Sequence, residues 1–153
     1  NFALSPWKDA LYAHPSTLQD WQAEPYDLIV SNPPYFQNSL KNPDNQRATA
    51  RHTDSLSYAE LITHALRLLA PHGTLALVLP IEAEAEILHL ATDNNLFPTH
   101  ITHVHTKPGK PAKRLLITLA SSPHHLITSS FYIESATSPR SDEYRILTQD
   151  FYL

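Results

Sequence analysis

The chain has 153 residues, 42% of them hydrophobic, and a formal net charge of −4 at pH 7, which allows one buried core and argues against a surface uniformly coated with cations. With no cysteine it has neither a disulfide framework nor a thiolate metal site, and no apolar run approaches the roughly 18 residues needed to span a bilayer. A single soluble, cytoplasmic domain without a membrane partner is the expectation.

The chain opens Asn1-Phe2-Ala3-Leu4, contains no methionine and shows no signal-peptide pattern, so residue 1 is not expected to be the natural start. The tail of a helix is expected near Ser5-Pro6-Trp7 and a short strand at residues 11–14. Tyr26-Asp27-Leu28-Ile29-Val30-Ser31 then reads as a short buried strand, stopped by Asn32-Pro33-Pro34 because proline cannot donate to a ladder. Residues 36–55 lack any pattern, and a stretch of that length inside a compact domain is usually functional or disordered.

Tyr58, Leu61, Ile62, Ala65, Leu66 and Leu69 recur at helical spacing, opened by the capping box Ser57-x-x-Glu60 and closed by Pro71-His72-Gly73. Residues 74–79 form an unbroken apolar run before Pro80, as a parallel strand covered on both faces would. Strand, helix, strand is a right-handed crossover. A helix at residues 82–92 places Glu82, Glu84 and Glu86 at the positive end of its dipole. It leads to strands at 99–106, 114–121 and 127–134, the first two joined by a loop short enough for an antiparallel hairpin. The whole is an α/β sheet whose first half is expected to be missing.

An exocyclic amine on an aromatic ring is a poor nucleophile because its lone pair is delocalised. Two hydrogen-bond acceptors on its N–H groups would localise that pair. The side-chain oxygen of Asn32 and the backbone carbonyl of Pro33 are such acceptors at the carboxyl end of a central strand, where open α/β sheets bind ligands. Consecutive prolines fix φ, and Tyr35 offers an aromatic face on which a flat group can stack. The bare tripeptide is also common loop punctuation; the strand before it, the aromatic after it and the long loop beyond it favour chemistry.

Asp27-Leu28-Ile29-Val30-Ser31-Asn32-Pro33-Pro34-Tyr35-Phe36 resembles the fourth motif of the class I S-adenosylmethionine-dependent amino-methyltransferases, which act on adenine, guanine or glutamine amines. Residues 47–58, with Arg47, Arg51, His52, Asp54 and Tyr58, and residues 147–153 resemble one subgroup, the bacterial tRNA methyltransferases that modify N6 of the adenosine beside the anticodon of valine tRNA. The resemblance runs over essentially the whole chain. It implies a Rossmann-like sheet of seven strands, the last antiparallel, with S-adenosyl-L-methionine as cofactor and tRNA as substrate.

The same resemblance implies that Asn32, Pro33 and Tyr35 are catalytic, that Asn32 also meets the cofactor, and that Pro34, Tyr35 and Phe36 contact the target base. The family's glycine-rich cofactor loop has no counterpart, since the only glycines are Gly73 and Gly109; the N-terminal half of the domain, with that loop, is expected to be missing here. Where many relatives carry an acid near the cofactor adenine, this chain has Ser16-Thr17-Leu18, so Thr17 and Leu18 are the positions left for that contact.

Arg47 and Arg51 are either a phosphate clamp or a solvated pair, and the resemblance favours substrate contact. Lys107, Lys110, Lys113 and Arg114 fall within eight residues that contain no acid; they would face a tRNA backbone near the active site, or form a solvated turn. His103 and His105 are expected to share a strand face, with His100 on the other, and no metal is expected because no acid or cysteine accompanies them in a ligand pattern. Two other functions stay open: protein glutamine N-methylation, which uses the same acceptor pair, and a non-enzymatic RNA-binding fragment. With half the domain missing, uncovered apolar surface would favour self-association.

Overall fold

The computed structural model describes residues 2–34 and 56–151. These form one five-stranded mixed sheet with two helices on one face and a third beside the other. Strand β1 (Tyr26–Ser31) is followed by α1 (Tyr58–Leu68), β2 (Leu69–Pro80), α2 (Glu84–Asp93), β3 (Phe97–His105), β4 (Ala112–Ala120), β5 (Ile127–Tyr132) and α3 (Asp142–Thr148). The strand order is β1-β2-β4-β3-β5. β1 is parallel to β2, β4 is antiparallel to both β2 and β3, and β5 is parallel to β3.

The antiparallel member is thus β4, folded back by a short turn into the space between β2 and β3. Because β4 reverses twice, β3 runs in the same direction as β1 and β2, and the carboxyl ends of β1, β2, β3 and β5 share one edge of the sheet. The last strand of the described chain, β5, runs parallel to its neighbour and lies at the outer edge.

Helix α1 begins where the sequence says it should. Ser57 accepts from the Glu60 N–H, and a Glu60 carboxylate oxygen accepts from the Ser57 N–H at 2.8 Å. Leu61, Ile62 and Ala65 of α1 join Ala83, Ile87 and Ala91 on Leu75, Leu77 and Leu79 of β2 and on Leu115, Ile117 and Leu119 of β4. These alternate positions face one side of the sheet.

The Ser57 hydrogen bonds hold the Glu60 carboxyl below its usual range. A carboxylate whose pKa is depressed by folding stabilises the fold above its unfolded pKa of about 4.3 and loses that contribution as pH falls through the lower folded value. Ser57→Ala is expected to cost about 1 kcal/mol at neutral pH. Denaturant titrations of the unaltered and variant proteins should draw closer, without meeting, as acid protonates the Glu60 carboxylate, because the Glu60 N–H bond to the Ser57 hydroxyl does not titrate; a gap unchanged at acid pH would show that the carboxylate plays no part.

Three expectations are corrected. Residues 11–14 form no strand, since no neighbouring strand is placed to complete a ladder, and the expected helix tail consists of single 3-10 turns at Phe2–Leu4 and Lys8–Ala10. α1 ends at Leu68, and β2 starts at Leu69 instead of residue 74: Tyr26 pairs with Leu69, Leu28 with Thr74, and the register slips between them. Gly73 permits this slip, because a Cβ there would lie 2.6 Å from the Tyr26 carbonyl oxygen. Finally, β1 and β2 are not covered on both faces. Leu28 and Val30 are 58% and 66% exposed, because α1 and α2 lie together on the opposite side.

α3 was not expected from the sequence. Its signal is local: the Ser141 side chain accepts from the Tyr144 N–H, and Asp142 and Glu143 occupy the first turn. A cavity of about 860 Å³ separates α3 from the open face, lined among others by Val78, Arg114, Leu116, Phe131 and Tyr144. Among the described residues no helix is long and apolar enough to cross a membrane.

Candidate active site at the carboxyl edge

β1 delivers Asn32 to the carboxyl edge one residue after its last ladder position, Ser31, which pairs with Leu77. Asn32 and Pro34 are exposed and Pro33 is buried. The buried proline anchors the end of the strand, and the residue before it is exposed at the edge. Tyr35, Phe36, Arg47 and Arg51 lie outside the described residues, as do His52 and Asp54.

Thr17 and Leu18 open a turn whose own groups are well used. The Thr17 hydroxyl donates to an Asp20 carboxylate oxygen at 2.7 Å, and the Asp20 N–H donates back to it at 3.2 Å. Leu18 packs against the core cluster. Arg67 of α1 donates to the carbonyl oxygens of Leu18 and Trp21 at 3.3 and 2.8 Å, which ties this turn to the helix that follows the long loop.

The basic turn between β3 and β4 lies on the same edge as Asn32, as the parallel direction of β3 requires. Lys107, Lys110, Lys113 and Arg114 are all exposed. They do not form one patch. Arg114 lines the cavity under α3, and Lys113 is the residue skipped where Val104 pairs with Arg114 and His105 with Ala112, leaving Lys107 and Lys110 in the turn itself.

Lys107-Pro108-Gly109-Lys110 has the residue pattern of a type II turn, with proline before a glycine at φ 77°, closed by the Lys110 N–H on the Lys107 carbonyl at 3.2 Å. That signal was available in the sequence.

The histidines of β3 part company. His103 Nε2 lies 3.0 Å from both Glu84 carboxylate oxygens, on the face covered by α2. His105, beyond a register shift after Val104, instead stacks on Tyr132, and its Nδ1 lies 2.7 Å from the Lys110 carbonyl oxygen. These two share a face, as expected, because the ladder of β3 with β5 runs unbroken from His100 to His105; what differs is the partner each meets there. Among the described residues no three His, Asp or Glu side chains converge as metal ligands.

No protein-family model matches the chain. Curated relatives do. It is 41% identical over 157 residues to the tRNA1(Val) (adenine(37)-N6)-methyltransferase of Parabacteroides distasonis, with 100% of this chain and 66% of that protein aligned. The protein of the same name from Aeromonas hydrophila is 42% identical over 153 residues, with 100% and 65% aligned. The chain belongs to this methyltransferase family.

The chain spans a little under two thirds of the length of these relatives. Its fold agrees. An Agrobacterium tumefaciens structure described as a predicted O-methyltransferase superposes with a TM-score of 0.61 at 20% identity, covering 81% of this chain and 51% of that one. A Listeria monocytogenes structure described as a class I S-adenosylmethionine-dependent methyltransferase gives 0.53 at 14% identity, covering 87% and 43%. The sheet with its inserted antiparallel strand is therefore a Rossmann-like class I methyltransferase sheet.

Proposed function

We propose that this protein takes part in S-adenosylmethionine-dependent N6-methylation of an adenosine in tRNA. The observation that carries the reading is an exposed Asn32 before a buried Pro33 at the carboxyl edge of a methyltransferase sheet. The relatives' names support the substrate.

Asn32 Oδ1 and the Pro33 carbonyl each accept one N–H of the adenine amine, drawing its lone pair out of the ring and toward the methyl donor. Tyr35, with Pro34 and Phe36, holds the base after it leaves its stack; stacking on a base contributes about 1–3 kcal/mol. Bound S-adenosylmethionine supplies a methyl group on a sulfonium sulfur, which leaves with the electrons of the broken carbon–sulfur bond. The new nitrogen–carbon bond makes the amine acidic, and its proton passes to water, so no dedicated base is required. Alignment supplies much of the acceleration.

Of the cofactor site, this chain offers Asn32 at one end and the Thr17–Leu18 turn at the other. The two glycines serve other purposes, Gly73 beside Tyr26 and Gly109 in the basic turn. A glycine-rich loop would come from the further third of the relatives' length. Arg47, Arg51, Lys107, Lys110, Lys113 and Arg114 would hold the tRNA backbone.

The test is transfer of labelled methyl from S-adenosylmethionine to bulk tRNA and, separately, to a release-factor protein. These 153 residues alone are expected neither to bind the cofactor well nor to turn over; with the remaining part of the relatives' length restored, label in tRNA at N6 of adenosine is expected. Label in protein alone would transfer the assignment to glutamine methylation, and salt-sensitive RNA binding without turnover would leave only a binding module.

A further inference from the structure

The carboxyl edge holds an aromatic pair that the chemistry at Asn32 does not use. His105 ends β3 and Tyr132 ends β5; the two are register partners, and their rings stack with centroids 4.9 Å apart and planes 26° from parallel. Both are half-exposed. Pairs of this kind bury hydrophobic area more completely when they serve only the core.

The pair is held rigidly, and so is the basic turn beside it. A carbonyl oxygen only accepts, so the contact from His105 Nδ1 to the Lys110 carbonyl at 2.7 Å fixes the proton on Nδ1 and the plane of the ring. The Ile133 and Glu134 N–H groups donate to the His105 and Thr106 carbonyls at 3.0 and 2.8 Å. On the other side, the Ser141 hydroxyl donates to the Tyr132 carbonyl at 2.6 Å, while the Ser141 N–H reaches the Ile133 carbonyl at 2.7 Å. Two exposed cations, Lys107 and Lys110, therefore sit on a braced turn next to two braced rings.

We propose that His105 and Tyr132 form a stacking platform for an unpaired nucleotide of the RNA substrate, whose phosphates lie against Lys107 and Lys110. An aromatic face beside lysines is the combination that holds single-stranded nucleic acid, because every base has a π-face and every nucleotide a phosphate. The nucleotide is not the one that is methylated. Adjacent strands lie about 4.8 Å apart, so three and four strand intervals separate β1 from β3 and β5, placing the platform roughly 14–19 Å from Asn32. It would thus read the position of a neighbour of the target and set the register of the RNA on the enzyme.

This inference rests on the reading that the substrate is RNA. It is tested by fluorescence anisotropy of labelled tRNA across a salt series, with Tyr132→Ala, Tyr132→Phe and Lys107→Ala/Lys110→Ala, each checked by thermal melting. Tyr132→Ala is expected to weaken binding by about 10- to 100-fold, without changing the slope of log affinity against log salt, since no phosphate contact is lost. Tyr132→Phe keeps the ring and should bind as the unaltered protein does. The double lysine variant should lower the slope by about 2.

Equal affinity in Tyr132→Ala, or equal damage in Tyr132→Phe, would overturn the platform while leaving the methyltransferase reading intact. A lowered melting temperature together with a changed salt slope in Tyr132→Ala would also overturn it, because that pair of changes reports a displaced turn. An unaltered protein that binds no tRNA at any salt would overturn both readings.

Discussion

Asn32→Ala will lower the rate of methyl transfer to tRNA by about 10²- to 10³-fold, the usual loss when one preorganised hydrogen-bond partner is removed from a reacting centre. The affinity for tRNA should change little, because most of it comes from phosphate contacts elsewhere. The reason lies in the position of the residue. Asn32 follows the last ladder pair of β1, is exposed, and precedes a buried proline, so the variant loses an acceptor without opening the core. Asn32→Asp keeps an acceptor oxygen but adds a charge, and should retain more activity than alanine. Single-turnover rates with saturating enzyme separate chemistry from binding. An alanine variant that transfers methyl as fast as the unaltered protein would remove Asn32 from the mechanism.

The largest expected effect on stability is that of Leu77→Ala, at about 2–5 kcal/mol by denaturant unfolding. Leu77 is 2% exposed and belongs to the core between the sheet and the two covering helices. It pairs with Ser31 on one side and Ile117 on the other, so the cavity left by truncation lies under the strand end that carries Asn32. Partial collapse into that cavity should lower methyl transfer as well as stability. A loss below about 1 kcal/mol would mean that the neighbouring side chains close the space, and that the sheet is softer than its packing implies.

These two positions differ in how far they can be read from the chain alone. Asn32 is marked by local chemistry: an apolar strand, then an acceptor side chain, then two prolines that end the ladder. Leu77 is one leucine in an apolar run, and its importance depends on which of its neighbours faces a helix. Periodicity locates the run, while the docking of α1 and α2 selects Leu75, Leu77 and Leu79 over Ala76 and Val78.

Other elements divide in the same way. The Ser57–Glu60 box, the stop after Ser31 and the β3–β4 hairpin are short-range features, decided by hydrogen bonds and dihedral limits within a few residues. The early start of β2 was hidden because Pro71 and Gly73 read as a helix stop; the close approach of Tyr26 to Gly73 turns that stretch into an irregular strand entry. The shared face of His103 and His105 follows from alternation along β3, whereas their different partners, Glu84 and Tyr132, come from elements far away in sequence. The basic cluster at residues 107–114 reads as a unit in the sequence, although Arg114 lines the cavity under α3 while Lys107 and Lys110 stand in the turn.

By itself, then, the chain's order of residues determined where strands and helices begin and end to within a few positions, which residue types stand at the carboxyl edge, and which family it belongs to. Those properties depend on steric and hydrogen-bonding rules that act over a turn or two. Only the tertiary structure decided that β4 inserts between β2 and β3, that one face of β1 stays open, and that His105 meets Tyr132 beside the lysine turn. Such pairings join residues far apart in sequence, and their energies depend on surfaces that exist only after the sheet has formed.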